Sequence, residues 1–249
     1  MPLDISADDE ITFERVRARL PVGTRETPRA AGSASYVFTK KRSTELYTLT
    51  IDGARLAGPA PLDDVFAIFE PHIIMRIAER APHHTFVHAG VVQFRGHGVM
   101  LPGYSFAGKT TLVAELVRAG AIYYSDEYAV LDSDGFAHPY PRALQMRAPG
   151  ERTQTAIPVG DFGGIAGTAP LAIDLVAFCT YRVDGHFRPR TVTPGLAALE
   201  MFQYTMSARH APEAALGALQ QVVTRAQLVK GTRGETSQVI DFLDKFFAT

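Results

Sequence analysis

Apolar residues recur at helical spacing through residues 62–80, at Val65, Ile68, Phe69, Ile73, Ile77 and Ala78, and predict a helix there. Asp63 and Asp64 fall in its first turn, where negative charge suits the positive end of the helix dipole. Pro71 interrupts the pattern and predicts a kink or two shorter helices. Upstream, residues 1–61 read as short β segments. Residues 34–39 and 45–51 are rich in Tyr, Phe, Thr and Val, with a polar turn between them. No catalytic constellation stands in that region, and its expected role is structural or docking.

Downstream the period changes. Residues 85–94 and 99–101 are apolar runs around an Arg-Gly-His-Gly turn, a hairpin signal. Residues 110–119 predict a helix. Residues 121–131 predict a strand broken by Ser125-Asp126-Glu127, and residues 136–144 continue as extended chain. Residues 148–170 are rich in Gly, Pro, Thr and Ala and read as a long mobile loop. Residues 171–181 and 187–192 predict a second hairpin around residues 183–186. Helices are expected over 195–207, 212–225 and 235–247, with a short strand over 226–230. The expected division is a β-rich region over 1–61 and a catalytic domain over 62–249.

The 249 residues suffice for one sizeable α/β domain, or a small domain with a larger one. A formal charge of −1 argues against a nucleic-acid partner. The single cysteine, Cys179, allows no internal disulfide, suits a reducing compartment, and reads as a small core residue. No apolar run reaches the ~18 residues of a membrane span, and the acidic first residues do not resemble a secretory signal. A cytoplasmic protein without membrane attachment is the expectation.

The chemistry begins at residues 103–110, Gly-Tyr-Ser-Phe-Ala-Gly-Lys-Thr, which match G-x-x-x-x-G-K-[ST] between a predicted strand and a predicted helix. Gly103 and Gly108 let the backbone approach phosphates closely. Successive N–H groups and the helix N-terminus then form an anion nest. Gly103, Tyr104, Ser105, Phe106, Ala107, Gly108, Lys109, Thr110 and Thr111 are the expected nucleotide-binding set. Lys109 serves the β- and γ-phosphates, and Thr110 is a ligand for Mg²⁺. Asp126 and Glu127 sit at the strand break, where an acid for the metal and a base for an acceptor hydroxyl are needed. Their mutual repulsion raises the proton affinity of one of them. His88 lies on the strand preceding the loop and is a further catalytic candidate. Arg142 and Arg147 are weaker candidates for steadying phosphates, and Glu151 for the metal. His83, His84 and His88 form no zinc spacing with a cysteine, and His210 reads as an exposed helix end.

Val-His-Ala-Gly-Val-Val at 87–92, Gly-Val-Met-Leu-Pro-Gly at 98–103, the phosphate loop and Ser125-Asp126-Glu127 together resemble HPr kinase/phosphorylase. That family is similar in fold to phosphoenolpyruvate carboxykinase and phosphorylates a serine of a carrier protein with ATP and Mg²⁺. The resemblance implies roles for His88 and for an acid pair whose second member is the base. The family has Asp-Asp where this chain has Asp126-Glu127, and residues 144–147 lack the family's metal glutamate. The chain looks more like the stand-alone relatives, some of which phosphorylate a serine of a lasso-peptide precursor. Hexamers are common in the family, which leaves room for a homo-oligomer here.

The expected fold is therefore α/β: a P-loop kinase core of mixed sheet flanked by helices, with a small β-rich N-terminal region. The expected activity is transfer of a phosphoryl group from Mg·ATP to a serine of a protein or peptide. The catalytic set is Glu127, Asp126, His88 and Lys109, and the metal set is Thr110 and Asp126. Two alternatives stay open on the same residues: a small-metabolite kinase, and a nucleotide-binding switch without catalysis.

Overall fold

The computed structural model describes residues 2–28, 32–81, 83–104, 108–146, 155–206 and 208–248. The chain divides into two compact units, Met1–Arg80 and Ala81–Thr249.

In the first unit, β1 (Leu3–Ala7) is followed by α1 (Glu10–Arg17). The sequence pattern did not announce this helix, because it is short and mostly polar. Its signal is Asp9, whose carboxylate accepts the Thr12 N–H at 2.7 Å and the Thr12 hydroxyl at 2.9 Å, capping the first turn. The chain continues through β2 (Ala34–Lys40), β3 (Tyr47–Ile51), β4 (Ala54–Ala60) and α2 (Leu62–Glu79). The four strands form one sheet in chain order, β1 parallel to β2 and the rest antiparallel.

The sequence assigned α2 to the second unit; by contact it belongs to the first. Phe66 and Phe69 of α2 pack against Phe38, and Phe69 meets Tyr36 edge-on at 5.5 Å. The buried face also takes Leu62, Val65, Ile73, Ile74 and Ala78, while Ile68 is exposed. The helix runs through Pro71 as one element rather than two.

The second unit is built on an eight-stranded mixed sheet among the described residues. The hairpin of β5 (Thr85–Phe94) and β6 (His97–Pro102) forms as expected and feeds α3 (Lys109–Arg118). Next come β7 (Ile122–Ser125) and β8 (Tyr128–Leu131), both antiparallel to β5, so the broken strand also forms as expected. Then follow β9 (Ala137–His138), β10 (Leu144–Met146), β11 (Thr155–Ile157), β12 (Ile173–Tyr181) and β13 (Arg190–Thr191). The chain closes with α4 (Pro194–Gln203), α5 (Pro212–Arg225), β14 (Gln227–Arg233) and α6 (Ser237–Phe247).

The order across the sheet is β13-β14-β12-β6-β5-β8-β9, with β7 also on β5. The expected second hairpin does not form. β14 lies between β12 and β13, parallel to the first and antiparallel to the second. β12 is also parallel to β6, so β6, β12 and β14 all end at the same rim of the sheet. One face of the sheet packs on α4 and α5 through Met201, Leu219 and Val222. The other packs on α3 and α6 through Leu112, Leu116, Val239 and Leu243. Helices on both faces of the sheet are the ordinary solution for a layered α/β unit, although α4 leaves Leu196 and Leu199 exposed.

Residues 155–170 do not behave as the long mobile loop expected. β11 pairs with β10, and the Tyr123 N–H donates to the Ile165 carbonyl at 2.8 Å. The Gly167 N–H donates to the Tyr123 carbonyl at 2.7 Å, holding the segment along β7. Residues 148–154 of that expected loop, including Glu151, lie outside the described residues, as does Arg147. Cys179 is partly buried beside the α6 face of the core, where burial pushes its thiol up to about 12. No helix among the described residues is long and apolar enough to cross a membrane.

Candidate active site

Strand β6 ends at Pro102, and α3 begins at Lys109 with Gly108 as its N-cap. Gly108 sits at φ +76°, a left-handed conformation that glycine reaches without strain. A side chain there would begin 2.5 Å from Nη2 of Arg233. Ser105, Phe106 and Ala107 of the expected nucleotide-binding set lie outside the described residues.

Lys109 is buried at the start of α3. Its Nζ donates to the carbonyls of Gly103 at 2.8 Å and Tyr104 at 2.7 Å, so the ammonium is held inside the turn between β6 and α3. Burial pushes its pKa down to about 8, against the pull of Asp126 and Glu127. His88 approaches the same Gly103 carbonyl through Nδ1 at 2.6 Å. A carbonyl oxygen only accepts, so that contact places the imidazole proton on Nδ1. Burial, with the Lys109 charge adding to it, pushes His88 down to about 4, which keeps the ring neutral at neutral pH. Lys109 Nζ lies 3.2 Å from the same nitrogen. The ring also meets Tyr128 edge-on at 5.6 Å.

The break between β7 and β8 has a local cause. The Ser125 hydroxyl accepts the N–H groups of Glu127 at 3.2 Å and Tyr128 at 3.0 Å. A side-chain oxygen thus replaces ladder bonds and pushes two acidic residues out of the strand. The Glu127 carbonyl still receives the Ala89 N–H, so the break stays pinned to β5. Asp126 is buried. Its Oδ1 lies 2.8 Å from the Tyr123 hydroxyl, and it accepts a hydrogen bond from Thr110. Burial raises its pKa, while those hydrogen bonds oppose the rise. Glu127 is partly exposed and accepts from Arg142 Nη1 at 2.7 Å.

The structure thus gathers Gly103, Tyr104, Lys109, Thr110, His88, Asp126 and Glu127 around one turn, with Arg142 joining through Glu127. Thr111 is exposed on the first turn of α3 and takes no described part. Tyr104 is mostly exposed, its ring against Tyr204 at 4.7 Å. His84 and His138 are edge-on neighbours elsewhere, and no group of three metal-ligating side chains occurs among the described residues.

One residue of the site escaped the sequence. Arg233, the last residue of β14, is buried and donates through Nη2 to the Gly108 carbonyl at 2.8 Å. Nη1 donates to the Gly234 carbonyl at 3.1 Å, and Nε is buried with no hydrogen-bond partner among the described residues. Burial pushes its pKa down, yet an arginine stays charged. A fixed cation therefore stands under the N-terminus of α3. Its faint sequence signal was an arginine in the Gly-Thr-Arg-Gly stretch that ends the last strand.

The cluster therefore offers a buried ammonium and guanidinium at a helix N-terminus, an oxygen pair, and a reachable carboxylate, and the cations suit an anionic ligand. No family model matches the chain, and no curated protein matches it. Among solved structures it is similar to the Hpr(Ser) kinase/phosphatase from Coxiella burnetii, at 12% identity over 66% of this chain and 93% of that one, with a TM-score of 0.35.

Proposed function

We propose that this protein is an ATP- and Mg²⁺-dependent kinase that phosphorylates a serine hydroxyl of a protein or peptide. The observation that supports it most is Lys109: a buried ammonium held by loop carbonyls rather than by a carboxylate. Such a group is costly to bury, and a polyphosphate laid along the turn would return that cost. The backbone N–H groups at the start of α3 and the Arg233 guanidinium add to the same potential.

The Mg²⁺ site would be Thr110 and Asp126. The two side chains already touch, both offer oxygen, and Asp126 is held in a dry place that favours a cation beside it. When bound, the ion supplies charge neutralisation for the transferred phosphoryl group. Glu127 is the base. Its carboxylate reaches the surface, where an incoming hydroxyl arrives, and Arg142 holds it in place at 2.7 Å. His88, neutral and fixed to the Gly103 carbonyl, shapes the start of the phosphate loop rather than contributing charge. The glutamate in place of aspartate moves the carboxylate one methylene outward, toward an acceptor standing further from the loop.

Labelled ATP, the protein and a host lysate test this directly. Label should appear in a polypeptide, and Glu127→Gln should lower transfer about a hundredfold while nucleotide affinity changes little. Label running with a small molecule would move the acceptor to a metabolite. Loss of nucleotide binding in the variant would make Glu127 a structural residue.

A further inference from the structure

We propose that Tyr181, with Val183 beside it in sequence, forms the platform on which the base of the bound nucleotide stacks. This rests on the phosphate-site reading above and extends it to the other end of the ligand.

The direction of the polyphosphate is set by the sheet order. Asp126 and Glu127 stand at the break between the two strands that pair with β5, on one side of β6. The terminal phosphate belongs there, beside metal and base. The nucleoside must then leave on the other side of β6, where β12 and β14 end. Tyr181 is the last residue of β12 and Arg233 the last of β14, paired in register. Both approach Gly108: a Cβ built on that glycine would lie 3.8 Å from the Tyr181 Cβ.

Tyr181 is 54% exposed and Val183 69%, although the chain that carries them is firmly tied down. The Arg182 N–H donates to the Arg233 carbonyl at 2.9 Å, and the Gly185 N–H to the Arg182 carbonyl at 2.9 Å. Gly185 packs so closely on β14 that a Cβ would meet the Arg233 carbonyl carbon at 2.7 Å. Gln238 of α6 closes the turn, donating to the Gly185 carbonyl at 3.3 Å and accepting the Phe187 N–H at 2.8 Å. A turn so anchored presents its aromatic ring without having to order it on binding. The Arg233 guanidinium lies 5.4 Å from the ring centroid, so one cation links the ring to the phosphate loop.

Calorimetry on the full chain with Mg·ATP and with magnesium tripolyphosphate separates the two halves of the ligand. Wild type should bind ATP more tightly than tripolyphosphate. Tyr181→Ala should weaken ATP about tenfold, the loss of one base–aromatic stack, and leave tripolyphosphate unchanged. Tyr181→Phe should keep wild-type affinity for both. ATP affinity unchanged in Tyr181→Ala would overturn the platform, and so would an equal loss for both ligands, which would mark a structural side chain. Wild type that binds neither ligand would instead remove the phosphate site itself.

Discussion

The two units treat charge differently. In Met1–Arg80 the buried positions described are apolar except for Thr12, and ion pairs such as Arg15–Asp63 and Lys40–Glu45 lie open to water. Pairs of that kind contribute about 0–1 kcal/mol. In Ala81–Thr249, Lys109, Asp126 and Arg233 are all buried, and all three lie around the turn that joins β6 to α3. Burying a charge costs several kcal/mol even after relaxation. Aromatic packing holds the first unit without such a cost. The second unit carries it in one place, the place where anion binding would return it.

The sharpest way to break this contrast is Lys109→Ala. Transfer from ATP should fall about a thousandfold, while the melting temperature should hold or rise, because a buried charge has gone. A marked drop in melting temperature would make Lys109 a structural cation and erase the distinction. Next in size, Phe69→Ala should cost the first unit about 3–5 kcal/mol, read by denaturant titration, with nucleotide affinity unchanged under folding conditions. A matching loss of affinity would mean that the first unit also serves the site.

The smallest effect sharpens the contrast through pH. With its pKa pushed down to about 8 from 10.5, Lys109 in the folded protein loses its proton before the unfolded chain does. The unfolded state therefore binds more protons between those values, and stability should rise with pH across that window. Nucleotide affinity should move the other way, steady below about pH 8 and falling above it by up to about tenfold per unit, because phosphate needs the charged amine. Opposite slopes in wild type, both absent in Lys109→Ala, would assign the titration to this residue.

Local chemistry was legible in the sequence and long-range pairing was not. The turn after β6 and the break at Ser125 announce themselves because each depends on neighbours in the chain: a glycine with a lysine beside it, a serine before two acids. α5 was also readable, its apolar residues repeating over a full Pro212–Arg225 span. The place of β14 was hidden. Residues 171–192 looked like a hairpin because adjacent strands often pair, and nothing in Gln227–Arg233 states which strands it will separate. Arg233 was hidden with it, since its meaning comes from Gly108, which only the sheet brings near. α2 fell to the wrong unit for a similar reason: its period shows a buried face, not the sheet that will cover it.

The insertion of β14 between β12 and β13 also sets an order of assembly. β12 precedes β13 and two helices in the chain, and its neighbour on one side, β14, follows them. Until then the edge of β12 that will receive β14 stays unpaired. The Arg233 guanidinium beside Gly108 arrives with that last strand. A chain that has not yet paired β14 therefore lacks one of the two buried cations beside the start of α3.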